Sequence, residues 1–118
     1  MFAEVKAMLQ NRISGESYNK QIAYWIKAAV LDLTKTDQIV LDGVCDISVT
    51  ENKNGTVTIT DNSTIEDEFV FATCAAYVSM NIGNPPNYEN LRSTYNSNKG
   101  AMRTSKEYKG GAEDAEAG

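Results

Sequence analysis

The chain has 118 residues, 42% hydrophobic and 23% charged, with 11 Lys and Arg against 16 Asp and Glu for a net charge of −5. This length and balance describe one ordinary globular domain with a modest core and exclude wholesale disorder. The acidic total also argues against a general nucleic-acid binder, because affinity for phosphate is carried by Lys and Arg.

His is absent, which removes the commonest general base and the usual partner of a Ser or Cys nucleophile. Cys45 and Cys74 lie far apart without metal-ligand spacing, and both thiols are expected to be reduced and buried rather than bridged. No catalytic residue, metal site or cofactor is therefore expected. Met1 to Arg12 carries Glu4 and Lys6 within its apolar pattern, unlike a signal peptide, and no small-residue cleavage site follows. The longest apolar run falls short of the roughly 20 residues that span a bilayer. The chain is expected to be soluble, to stay where it is made and to have no membrane partner.

Met1 to Arg12 places Phe2, Val5 and Leu9 on one face, which predicts an amphipathic helix of about three turns. Ile13-Ser14-Gly15 breaks it, with Gly15 available for a positive φ. A second helix is expected from Glu16 or Ser17, because Tyr18, Ile22, Trp25, Ile26, Ala29 and Leu33 recur at helical spacing. Trp25 is read as core rather than as a ligand platform. Thr34 to Asp37 ends the pattern.

From Ile39 the period changes to two. Cys45, Ile47 and Val49, and then Val57 and Ile59, alternate with polar residues around Asn52-Lys53-Asn54-Gly55, which predicts a β-hairpin over about residues 44–61. A two-residue Asn54-Gly55 loop would set Val49 opposite Thr60. A three-residue loop with Gly55 left-handed pairs Val49 with Ile59 and keeps apolar side chains on one face, so it is preferred. One hairpin alone is marginal, so its apolar face needs cover from the helices or from another chain.

A third helix is expected to open at Ser63, with Glu66 completing a capping box and Glu66, Asp67 and Glu68 in the first turn. Between Phe69 and Met80 only Thr73 and Ser79 interrupt an apolar run, and a helix with no polar side must be covered all round. Gly83 is read as its stop. Asn84-Pro85 is read as the start of a fourth helix, whose stripe of Tyr88, Leu91, Tyr95 and Met102 is thin in large aliphatics. Arg92, Lys99, Arg103, Lys106 and Lys109 are opposed across that stretch only by Glu107, and Glu113, Asp114 and Glu116 then dominate the end. The fold class is therefore mainly α: four helices, a hairpin inserted between the second and third, and an extended C-terminal arm. The helical domain is expected over residues 1–109, with a flexible acidic tail over 110–118.

The second half, from Ala72-Thr73-Cys74-Ala75-Ala76-Tyr77-Val78 through Asn81-Ile82-Gly83 and Asn84-Pro85-Pro86-Asn87-Tyr88 to Leu91, Tyr95, Met102 and Thr104-Ser105-Lys106-Glu107-Tyr108, resembles the small head–tail connector proteins of tailed bacteriophages. These are also called adaptor or head-completion proteins. The opening Val5-Lys6 to Met8-Leu9 helix and the Ile- and Ala-rich second helix look similar too, so the resemblance covers most of residues 1–109. The hairpin is longer and more β-patterned than the minimal family pattern.

The resemblance implies a structural virion protein without enzymatic activity. It would form a homo-oligomeric ring, typically of twelve subunits, between the portal and the next neck or tail protein. Packaged DNA would pass through the lumen without sequence-specific binding. The location implied is the virion neck, with the host cytoplasm during assembly. The portal-docking arm would be carried by Arg92, Lys99, Met102, Arg103, Lys106, Tyr108 and Lys109. Ile47, Val49, Val57, Ile59, Tyr88 and Tyr95 are candidates for contact with a neighbouring subunit. Removal of Gly100 to Gly118 is expected to leave the subunit folded, since few large apolar residues are lost. A small monomeric peptide- or protein-binding module is the alternative, and a nucleic-acid-handling protein using the basic stretch is a third reading.

Overall fold

The structure, a computed structural model, describes residues 1–104. It is mainly helical: α1 (Phe2–Ala7), α2 (Asn19–Leu31), α3 (Glu68–Asn81) and α4 (Tyr88–Thr104), with a hairpin of β1 (Ile47–Glu51) and β2 (Val57–Asp61) between α2 and α3. The other three helices pack around α3, the element with no polar side. Val70, Phe71, Cys74 and Val78 of α3 meet Val5 of α1 and Ile22, Ile26 and Ala29 of α2 in one core cluster, which Tyr95 and Met102 of α4 join.

The first helix is shorter than its pattern predicts. α1 ends at Ala7, and a separate turn of 3₁₀ helix, Asn11–Ile13, carries Ile13 into the core. Gly15 has φ −73°, so the break there is made by extended backbone and not by a left-handed glycine. Arg12 explains the path: its guanidinium donates to the carbonyls of Ser79 (3.1 Å) and Ile82 (3.0 Å) at the end of α3. Those carbonyls have no intrahelical partner, and a cation suits the negative end of the helix dipole.

A single 3₁₀ turn, Glu16–Tyr18, precedes α2. After Leu31 the helix widens into a π turn over Asp32–Thr36, closed by Asp37 N–H donating to the Asp32 carbonyl at 3.0 Å. The chain then reverses at Gln38, which holds φ 57°.

The hairpin has the register that its parity requires. Val49 pairs with Ile59 and Glu51 with Val57, leaving Lys53-Asn54-Gly55 as a three-residue loop with Gly55 at φ +89°. Pairing continues beyond the strands, with Asn62 N–H bonded to the Asp46 carbonyl and Thr64 N–H to the Val44 carbonyl. That extension overturns the expected capping box. The Ser63 hydroxyl accepts from Asp46 N–H at 2.8 Å, so it serves the hairpin. The N-cap is Asp67, which accepts from Phe69 N–H at 2.8 Å. Gly83 does adopt φ +72° past the end of α3. α4 begins later than Pro85, at Tyr88, and runs unbroken through Gly100 to Thr104.

Candidate functional site

The residues expected to face neighbours are largely spent inside the chain's own fold. Ile47 is only 4% exposed, and Val49 and Ile59 are half-buried against the core cluster. Val57 is also half-buried. The hairpin lies on α2 of its own chain, because its apolar face finds there the cover that a lone hairpin lacks. Tyr95 is 2% exposed. Of the six, Tyr88 alone is exposed.

The expected docking arm is corrected in the same way. α4 extends through Thr104, so Met102, at 0% exposure, is a core residue and not part of an arm. Lys99 lies between two carboxylates, 3.0 Å from Asp32 Oδ2 and 2.7 Å from Asp37 Oδ2, and Arg103 reaches Asp37 Oδ1 at 3.3 Å. Arg92 is exposed and faces Glu89 at 3.4 Å. Lys106, Tyr108, Lys109 and the acidic tail of residues 110–118 lie outside the described residues.

Asp32, Tyr95, Lys99 and Asp37 form one polar cluster that sequence reading missed. The Tyr95 hydroxyl donates to Asp32 Oδ2 at 2.6 Å, and the Lys99 ammonium also stands 5.0 Å from the Tyr95 ring centroid. Tyr95 and Lys99 are one turn apart on α4, while the π turn brings Asp32 and Asp37, five residues apart, onto the same cation. Burial alone would raise the Asp32 pKa, but the bonds from Tyr95 and Lys99 outweigh it and hold the carboxyl below its usual range. Burial would likewise lower Lys99, yet its two carboxylate partners raise it. Burial and the Asp32 carboxylate together push the Tyr95 hydroxyl up. The cluster is a clamp that fastens α4 to the end of α2. A second polar tie joins Asn98 to Thr73 Oγ1 at 3.0 Å. No spacing in the sequence links residues 32 and 37 to 95 and 99, so no local pattern could have revealed the clamp.

Beside it runs a line of rings through three helices. Trp25 stands edge-on to Tyr24 (4.9 Å) and to Tyr77 (5.9 Å), and Tyr77 lies 4.7 Å from Tyr95. The offset and edge-on geometries are those that aromatic quadrupoles favour, so Trp25 serves packing.

The thiols are separate: both are free, Cys45 half-buried and Cys74 buried. Burial pushes the Cys74 thiol up to about 12, far from nucleophilic readiness. Among the described residues no three His, Cys, Asp or Glu side chains come together as metal ligands. No described helix is long and apolar enough to cross a membrane.

Three surface features remain. A shallow groove of about 340 Å³ runs beside α3, lined by Ala72, Ala75, Ala76, Ser79, Met8, Gln10 and Leu91; of its α3 residues Ala72 is exposed and Ala75, Ala76 and Ser79 are buried. On the side of α2 turned away from the core, Tyr24 (62% exposed) and Leu31 (56%) stand in line with the exposed Lys20 and Lys27. A further depression of about 480 Å³ lies between the start of α2 and the hairpin loop, lined by Glu16, Ser17, Lys20, Gly55, Thr56 and Val57. Comparison with family models, curated proteins and solved structures finds no match to this chain.

Proposed function

We propose that this chain is a ring-forming structural protein of the head–tail connector kind. In this reading it sits between the portal and the next neck or tail protein of a tailed phage, giving DNA a conduit and the tail a docking platform. The observation that carries it is the set of large apolar side chains left exposed among the described residues, Tyr24 and Leu31 on the far face of α2 with Met8 and Tyr88 elsewhere. Identical neighbours in a ring could cover them.

The residues resembling the connector family, from Ala72 through Tyr88 to Met102, supply α3, the Gly83–Pro86 corner and α4. The net negative charge suits a lumen through which DNA must slide without adhering. With Lys99 and Arg103 engaged by Asp32 and Asp37, portal docking by cations would fall to Arg92, Lys106 and Lys109. The test is electron microscopy and native mass spectrometry of the purified chain, alone and mixed with a phage portal ring. Closed rings of identical copies are expected, and a chain that stays monomeric in both settings refutes the reading.

A monomeric peptide-binding module is favoured by one feature, the depression between Ser17, Lys20, Thr56 and Val57, whose size falls in the range of ligand pockets. That reading gains if the chain remains monomeric and Val57→Glu abolishes capture of a peptide.

A further inference from the structure

The hairpin is a sheet of only two strands, so each strand has an outer edge. Asn52 N–H donates to the Thr56 carbonyl and Asn62 N–H to the Asp46 carbonyl, both at 2.8 Å, so in this register the even-numbered residues bond across the hairpin. The N–H and C=O groups of Ile47, Val49 and Glu51 therefore point outward from β1, and those of Val57 and Ile59 outward from β2. None of these groups has a hydrogen-bond partner among the described residues. Such a row of alternating free donors and acceptors is a template for another extended backbone. Ile47 is only 4% exposed, so the accessible part of the β1 edge begins at Val49.

The two edges have different surroundings. At about 100° per residue, Asn19, Ala23, Lys20 and Tyr24 follow one another around α2. Asn19 accepts from Lys6 of α1 at 2.7 Å, Ala23 is fully buried, and Lys20 is paired with Glu51 of β1. On the other strand Asp61 accepts from Phe2 N–H of α1 at 2.7 Å. α1 therefore flanks β2, and Tyr24, 62% exposed, stands on the opposite flank, beyond β1. Neighbouring strands lie about 4.8 Å apart, so pairing two β1 edges sets the midlines of two hairpins about 10 Å apart. Each hairpin lies on its own α2, and packed helices lie about 8–10 Å apart. The spacing that joins the edges thus brings two α2 flanks together and covers Tyr24. A foreign peptide strand would satisfy the edge but bring no helix to Tyr24. Charge permits the pairing. Glu51 is neutralised by Lys20. Lys27, which forms no ion pair with a described residue, lies about 10 Å further along α2.

We infer that the outer edge of β1 is an interface between two copies of this chain. Val49 and Glu51 of one copy pair antiparallel with Glu51 and Val49 of the other about a two-fold axis at Thr50. The result is a four-stranded sheet, β2–β1–β1–β2, lying over two adjacent α2 helices. The contact is two-fold, so it joins copies in pairs without building a ring, and it stands or falls independently of the ring-forming reading.

The experiment follows the full chain at high concentration by sedimentation velocity and by disulfide trapping with oxidised glutathione. Thr50 is exposed, and in this pairing it faces Thr50 of the other copy as a non-hydrogen-bonded pair, with Cα atoms about 4.5 Å apart and within disulfide reach. Thr50→Cys is expected to form covalent dimers about tenfold faster than Thr58→Cys, which alters its exposed in-chain partner on β2. Wild type is expected to sediment as a concentration-dependent dimer. Glu51→Pro removes an outward N–H and spares the hairpin's own ladder, so it should abolish dimerisation and, added to Thr50→Cys, the trapping. Val57→Pro does the same to the β2 edge and should leave both unchanged. Circular dichroism checks that each variant is folded. Equal trapping at Thr50 and Thr58, or a folded Glu51→Pro chain that dimerises like wild type, overturns the inference. So does a wild-type chain that is monomeric at every concentration. If its Val49 and Glu51 amides then slow in hydrogen exchange only when a portal ring is added, the edge belongs to a foreign strand.

Discussion

Replacing Lys99 by Met tests the clamp that holds α4. Met keeps most of the packing stem and removes the ammonium, leaving Asp32 and Asp37 facing each other's field with side-chain exposures of only 25% and 18%. Removing one partner from a fully buried ion pair costs roughly 3–5 kcal/mol. Here each carboxylate keeps one other partner, the Tyr95 hydroxyl for Asp32 and Arg103 for Asp37, and some water access. The expected loss at pH 7 is therefore smaller, about 2 kcal/mol. Urea unfolding followed by circular dichroism should show a lower midpoint with an unchanged slope.

The pH dependence carries the sharper test. The folded-state pKa of Asp32 is depressed, so its contribution is fully present above its unfolded value of about 4 and fades as pH falls through the lower folded value. The gap between wild type and Lys99→Met should therefore be largest near neutrality and shrink under acid conditions. Lys99 has a raised folded pKa, so its contribution persists below its unfolded value of about 10.4 and fades only as pH rises through the folded value. A gap below about 0.5 kcal/mol at pH 7, flat with pH, would be the behaviour of a screened surface pair and would refute the clamp.

Two glycines should respond differently to Ala. Gly55 (φ +89°) has open space around it, so Gly55→Ala should cost only the left-handed strain, about 1 kcal/mol, read from thermal unfolding. Gly43 (φ +115°) would bring a Cβ to 2.8 Å from the backbone of Thr64 and Ile65, so Gly43→Ala should cost clearly more, roughly 3 kcal/mol or above. Equal losses would contradict the close approach. Ending the chain after Lys99 removes the fully buried Met102 and the Arg103–Asp37 pair, and should cost about 2–4 kcal/mol by urea unfolding. The sequence alone led to the expectation that removal of Gly100 to Gly118 leaves the chain folded and abolishes only partner docking, and unchanged stability would favour that expectation.

Local pattern carried much of the architecture. The helical period of Ile22, Ile26 and Ala29, the alternation of Ile47, Val49, Val57 and Ile59, and the polar-free run from Phe69 to Met80 each follow from neighbours along the chain. Even the hairpin loop was legible, because only one loop length keeps Val49 against Ile59. Element ends were less so. Ser63 and Glu66 have capping-box spacing, but the strand partners of Ser63 outbid the helix for its hydroxyl, and nothing near Ser63 in sequence announces Asp46.

What only the tertiary structure decided is which surfaces remain free. Lys99 and Arg103 read as cations of a docking arm until the π turn after α2 brings Asp32 and Asp37 beside them. Met102 read as part of an arm until α4 carried it into the core, and whether the hairpin face lay on the helices or on another chain stayed open until α2 covered it. Conversely, a run where every face is equally apolar does not reveal that Ala72 stays exposed while Ala75, Ala76 and Ser79 are covered, because cover depends on where three other helices lie. Periodicity is a property of residues a few positions apart, whereas charge pairing and burial here join residues more than sixty apart, and those are set by packing alone.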